Sequence, residues 1–194
     1  LLERASLKSI RGRRDEAYAD IQQVVVRDPL IWSAQRRLAM GYAARGRFDE
    51  ALQILDRQEA EDPNRTALYW SRGTTRLRQG EYELALQEFA RERFDFLELT
   101  GKAIAYHHLG RRDEAVAALQ ALISTMGESS SFQIASVYAQ WGDADNAMSW
   151  LERGYVIRDP GLQFVGATFI FDPISDDPRF QAFLAKMNFE GETT

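Results

Sequence analysis

The stretch Gly46-Arg47-Phe48-Asp49-Glu50-Ala51-Leu52, with Ala39 seven residues before the glycine and Leu55 nine residues after it, decides the architecture of this 194-residue chain. A glycine between two apolar-periodic runs ends the first as a helix, because the turning residue adopts the left-handed conformation that glycine enters without steric cost. The acid three residues later falls in the first turn of the next helix, where unsatisfied backbone N–H groups favour negative charge by about 0.3–1 kcal/mol. Small residues at Ala39 and Ala51 allow the two helices to approach to the low end of the usual ~8–10 Å. Downstream, Asp62-Pro63 stops the second helix, since the residue before proline is pushed out of the helical region. The unit is helix, tight turn, helix, stop.

That unit repeats. Gly12-Asp15-Ala17, Gly46-Asp49-Ala51, Gly80-Glu83-Ala85, Gly110-Asp113-Ala115 and Gly142-Asp145-Ala147 share one spacing, with the glycines 34, 34, 30 and 32 residues apart. Three further columns agree in all five copies. Ala5, Ala39, Gly73, Ala103 and Ala135 stand seven before the glycine, Tyr18, Leu52, Leu86, Val116 and Met148 six after it, and Ile21, Leu55, Phe89, Leu119 and Leu151 nine after it. Asp28-Pro29 closes the first unit as Asp62-Pro63 closes the second. A fixed period of this length is the signature of stacked supersecondary units. The fold expected is therefore an all-α solenoid.

In period, small-residue columns and terminal proline, the segment from Ile31 to Pro63 resembles the tetratricopeptide (TPR) repeats, and the likeness extends over residues 1–157. It implies five helical hairpins, at 1–29, 30–63, 64–94, 95–126 and 127–157, wound as a right-handed superhelix. The third unit departs from the pattern: it is four residues short, lacks its proline, and places Arg72 and Arg76 where apolar residues belong. Either that helix is rotated or the two arginine stems run along the core edge.

After Ile157 the columns stop. An apolar run follows, with Leu162, Phe164, Val165, Phe169, Ile170 and Phe171, then Asp172-Pro173 and Asp177-Pro178, each read as a cap followed by proline at a first helical position. Phe180, Phe183, Leu184 and Met187 lie on one face of a short helix. A stacked array leaves its last unit with an exposed apolar face, so residues 158–194 are expected to form a C-terminal capping segment. This tail, together with Ala105-Tyr106-His107 and Leu109-Gly110-Arg111, resembles the C-terminal TPR region of certain bacterial regulatory proteins. In those proteins the region follows a winged-helix, nucleotide cyclase or serine/threonine kinase head. The resemblance implies a fragment of a longer protein, as does an opening Leu1-Leu2-Glu3 without methionine.

Composition narrows the function. The chain is 45% hydrophobic with no cysteine, and its net charge of -5 and pI near 5.2 argue against direct nucleic-acid contact. No apolar run approaches the ~20 residues of a membrane span and no signal-peptide layout opens the chain. It reads as a soluble segment, cytoplasmic or periplasmic. Arginine makes up 21 of the 24 basic residues, and residues 1–100 are neutral, with 17 basic and 17 acidic residues. The whole deficit lies in the other part, so an acidic partner is compatible with the first half.

Catalytic constellations are missing. His107 and His108 are helical neighbours pointing about 100° apart and cannot converge on one metal ion. There is no phosphate loop, nucleophile elbow or helical zinc pair. The recurrent Asp-Glu pairs mark helix starts. No metal, cofactor or catalytic residue is expected, and the chain is read as a non-enzymatic scaffold for protein–protein interaction. The glycines Gly12, Gly46, Gly80, Gly110 and Gly142 and the alanines Ala17, Ala51, Ala85, Ala115 and Ala147 are its structural repeat positions.

The TPR resemblance puts the binding surface on the inner face of the first helix of each unit. The residues implied are Arg36, Met40 and Ala43; Trp70, Thr74 and Leu77; Thr100, Ile104 and His107; and Phe132, Ser136 and Ala139. Such a groove would hold an apolar peptide or protein ligand with one acidic anchor at Arg36. Trp70 and Phe132 fit equally as groove and as inter-helix core. Because Ser6, Met40, Thr74, Ile104 and Ser136 include no Asn, the carboxylate clamp of some TPR domains is not expected. Two other readings stay open: a homodimer formed through residues 162–171 or the first helix, and a small-ligand or enzyme pocket inside the arc.

Overall fold

The computed structural model describes residues 1–11 and 13–187. Gly12, one of the five repeat glycines, lies outside the described residues. Eleven α-helices occur among them and no strand. They pair in order: α1 (Leu2–Ile10) with α2 (Arg14–Arg27), α3 (Trp32–Ala43) with α4 (Phe48–Glu61), and α5 (Leu68–Gln79) with α6 (Tyr82–Phe89). Then come α7 (Asp95–His108) with α8 (Arg112–Met126) and α9 (Ser131–Gln140) with α10 (Ala144–Ile157). Two 3-10 turns, Pro160–Phe164 and Phe169–Ile174, lead to α11 (Pro178–Met187).

The turn glycines Gly46, Gly80, Gly110 and Gly142 have φ between 73° and 83°, the left-handed region where a side chain is strained. Each following helix carries an acid in its first turn. Ala51, Ala85 and Ala147 are fully buried, and Ala17 and Ala115 nearly so. Asp62 accepts the Asn64 N–H at 2.9 Å, and the turn this forms delays the start of α5 to Leu68.

The core runs the length of the array in three clusters, those of Leu55, Phe89 and Leu151, with Trp70, Tyr138 and Trp150 bridging the last two. Phe89 joins three helices. A Cβ placed on Gly73 of α5 or Gly101 of α7 would stand 2.4 Å or 2.3 Å from its ring. This contact shows that α5 keeps the repeat's orientation, so the two misplaced arginines need another explanation. Arg72 is buried between α4 and α6, paired with Asp56, with Glu59 at 3.3 Å and with Glu88 at 2.9 Å. Arg76 pairs with Glu81 at the turn.

At the C-terminal end, α11 lays Phe180 and Phe183 on the last cluster, with the Phe180 ring stacked 5.6 Å from Phe171. Asp177 caps it by accepting the Arg179 N–H at 2.8 Å. Asp172-Pro173, expected to begin a helix, instead lies inside the second 3-10 turn, whose start is capped by the Thr168 hydroxyl.

Candidate functional site

The inner face is built by α3, α5, α7 and α9. Arg36 and Met40, Trp70 and Ser71, Phe96, Leu97 and Thr100, and Phe132, Gln133 and Ser136 border one cavity of about 370 Å³. Ala43, Ala44, Ala67 and Arg78 complete the array's side, and the facing wall is Gly161, Phe164 and residues 167–170 of the same chain. The apolar run after Ile157 thus does more than cap the array, because it turns inward and lies along the inner face.

Several interactions hold it there. Asp159 accepts the Phe132 N–H at 2.9 Å through Oδ2 and the Gly161 N–H at 2.7 Å through Oδ1. One buried carboxylate therefore satisfies the first turn of α9, where an anion is favoured, and fixes the start of the crossing segment. Gln140 donates to the Ile170 carbonyl at 2.7 Å, and the Phe171 ring lies 5.7 Å from that of Phe132. From the opposite side, Arg14 at the start of α2 donates to the carbonyls of Gly166 at 2.8 Å and Thr168 at 3.2 Å. Arg78 stacks on Phe169 at 4.9 Å and pairs with Asp172 at 3.5 Å. The segment spans the arc from its last hairpin to its first. Leu162, Val165, Ile170 and Phe171 are consumed in these contacts, while Phe164 is 48% exposed.

Gly161 makes the crossing possible. A Cβ there would stand 2.7 Å from both Cβ and Cγ of Phe132, atoms close to the backbone that cannot swing aside. Gly161→Ala is expected to overpack this contact at a cost of about 1–3 kcal/mol and to loosen residues 160–171. Amide exchange there should speed by roughly an order of magnitude, and an unchanged rate would remove Gly161 from this role.

Of the residues expected in the groove, Arg36, Met40, Ala43, Trp70, Thr100, Phe132 and Ser136 border the cavity, together with Ser71, Phe96, Leu97 and Gln133, which the repeat columns do not indicate. Leu77 and Ile104 do not. They sit with Phe89 and Leu119 in the middle core, because the approach permitted by Gly73 and Gly101 carries these parts of α5 and α7 into helix contact. Ala139 is core as well. Thr74 is buried with its hydroxyl donated to the Trp70 carbonyl at 2.8 Å, and His107 is stacked on Trp141 with ring centroids 5.4 Å apart. Trp70 and Phe132 serve in both capacities: Trp70 packs 5.5 Å from Phe89 and Phe132 is 9% exposed, yet each borders the cavity.

Two charged residues border the cavity: Arg78, paired with Asp172, and Arg36. The Arg36 Nη1 donates to Ser71 Oγ at 3.3 Å and its Nε is buried without a hydrogen-bond partner. Burial, then the charge of Arg37, hold the guanidinium below its ordinary pKa, with Glu92 opposing. The Glu92 carboxylate is itself engaged by the N–H groups of Trp70 and Arg93, both at 2.9 Å. Among the described residues no three His, Asp or Glu side chains group as a metal ion would require, and no helix is long and apolar enough to cross a membrane.

Comparison with known proteins places this geometry. A family model described as "Tetratricopeptide repeat" matches residues 2–66 and 71–131, and a second of the same description matches residues 129–155. No curated protein matches the sequence. Two solved structures share the fold. A tetratricopeptide repeat protein from Parabacteroides merdae ATCC 43184 is similar with a TM-score of 0.56 and 16% identity, over 95% of this chain and 81% of that one. The crystal structure of MamA is similar with a TM-score of 0.50 and 19% identity, over 79% of this chain and 93% of that one.

Proposed function

The chain belongs to the tetratricopeptide repeat family, whose repeats generally mediate protein–protein interaction, and from that premise we propose that its inner face binds an apolar peptide segment of a protein partner. The observation that supports this most is the crossing segment itself. Residues 161–170, parts of two short 3-10 turns and the link between them, lie against Met40, Trp70, Phe132 and their neighbours, so the face has the shape and apolar character to receive a short apolar segment. Arg36, lacking a carboxylate partner at ion-pair distance among the described residues, is the anchor for an acidic side chain of the ligand. The face is already formed in the folded array, which leaves most of the ordering cost with the ligand. The likeness of the tail to that of bacterial regulators supports a parent protein in which this module controls an attached signalling head.

A displayed library of random 12-residue peptides tests the reading. Enriched sequences should combine aromatic or aliphatic residues with an Asp or Glu. Their binding should fall at least tenfold, about 1.4 kcal/mol, in Met40→Lys and in Arg36→Gln, with little change in melting midpoint. A library that enriches nothing, or peptides indifferent to both substitutions, would overturn it.

A further inference from the structure

A second cavity lies on the other side of residues 163–167, between them and α1, α2 and α3. It measures about 350 Å³ and its lining includes four arginines, Arg14, Arg36, Arg37 and Arg45, and no aspartate or glutamate. An arginine cluster in a chain of net charge -5 is not a consequence of overall composition. Nor is it neutralised from within, as the partner of each guanidinium shows.

Arg37 donates to the Ser6 hydroxyl at 2.5 Å. Arg36 has the Ser71 hydroxyl at 3.3 Å and leaves a buried Nε without a partner. Arg14 is spent on the carbonyls of Gly166 and Thr168. Arg45 alone meets a carboxylate, that of Asp15, whose side chain is 96% exposed, and it lies 3.8 Å over the Tyr18 ring. Two adjacent guanidiniums thus stand half-buried with neutral hydrogen-bond partners only, the charge of Glu92 acting on Arg36 from beyond ion-pair distance. Such an arrangement costs free energy in desolvation and mutual repulsion unless a negative group enters. Burial holds Arg37 below its ordinary pKa, as burial and Arg37 together do for Arg36. Guanidinium forks are also the side chains best suited to grip phosphate or carboxylate oxygens in bidentate fashion.

We propose that this arginine-lined cavity binds a compact multivalent oxyanion of low molecular mass, a phosphate-class or polycarboxylate species, gripped by Arg36 and Arg37 and covered by residues 163–167. The size of the cavity points to a small ion. The cavity is roofed by the chain's own Gln163, Phe164 and Ala167 and shares Arg36 and Met40 with the peptide face behind it. The inference does not depend on the peptide reading. Because Arg14 ties the same covering segment through two carbonyls, an anion held beneath it also links the first hairpin to the C-terminal run.

Calorimetric titration of the full chain with pyrophosphate and with citrate, at ionic strength matched with NaCl, tests this. One-to-one binding is expected, with a rise in melting midpoint of roughly 5 °C at saturating ligand. Arg37→Gln should weaken it at least tenfold. Ala167→Leu fills the cavity from its roof without removing a charge, and should weaken it similarly even if Arg37→Gln proves too unstable to titrate. Binding of pyrophosphate alone identifies a phosphate-class ligand, and binding of citrate alone a polycarboxylate. If neither ion binds above the NaCl control, or if binding is undiminished in the folded variants, the assignment is wrong.

Discussion

Phe89→Ala is expected to lower the free energy of unfolding by about 3–5 kcal/mol, the range for truncating a fully buried aromatic. The side chain is 0% exposed and closes the last turn of α6, which at 8 residues is the shortest of the eleven described α-helices. Most hairpins spread their contacts over a longer second helix, whereas here one ring carries much of the packing between α5, α6 and α7. Gly73 and Gly101 both face it closely. Neither has a side chain that could move into the space left by the ring, so the cavity collapses poorly and the cost falls toward the upper end. Gly101→Ala supplies a control of opposite expectation. Helix propensity alone favours alanine by about 1 kcal/mol, but its Cβ would stand 2.3 Å from the Phe89 Cγ, so the net effect should be destabilising. Urea unfolding curves decide both. A cost below about 1 kcal/mol for Phe89→Ala, or stabilisation by Gly101→Ala, would show that the middle hairpins are not held together at this ring.

The sequence carries the hairpins plainly and the crossing segment hardly at all, for a physical reason. Helix-turn-helix units leave their mark at fixed offsets: glycine at the turn, alanine where helices touch, an acid at the helix start. Each constraint is local, so Gly46, Asp49 and Ala51 can be read together. Where residues 158–174 go depends on contacts between distant parts of the chain, from Asp159 with Phe132 to Arg14 with Gly166 and Thr168, the last two pairs more than 150 residues apart, and such pairs recur at no fixed spacing. Gly161 gives no signal either, since it is needed for its closeness to Phe132 and not for a turn. On the inner face, Phe96 and Leu97 were legible as apolar residues in the first turn of α7. They lie outside the columns the resemblance implies for the inner face, which in this repeat begin at Thr100, ten residues before Gly110. Leu77 and Ile104 fit those columns and still belong to the core, because a column fixes the face of a helix and says nothing of how closely the next one approaches.

Arg72 marks where the repeat pattern gives way, and its replacement carries the other large expected effect. Arg72→Met should cost about 3–5 kcal/mol, as expected when one member of a buried ionic cluster is removed and its partners stay behind. Glu88, with a side chain 11% exposed, loses its closest cation, and Glu59 loses one of two. The remaining cation, Arg91, pairs with Glu59 but stands 3.7 Å from Glu88, and its stem is committed to the Tyr69 ring at 4.2 Å. Burial pulls the Arg72 guanidinium toward neutrality, yet hydrogen bonding to Asp56 and the charge of Glu88 outweigh it and hold the group above its ordinary pKa. The charge is therefore retained in the folded state, and deleting it leaves excess negative charge between α4, α5 and α6. The double substitution Arg72→Met, Glu88→Leu separates pairing from packing. Removing both partners also removes the desolvation cost of each, so the double variant should recover at least half of the loss. Additive single effects in a double-mutant cycle would mean that Arg72 stabilises the hairpin through its aliphatic stem alone, and the third repeat would then tolerate the apolar residue its pattern calls for.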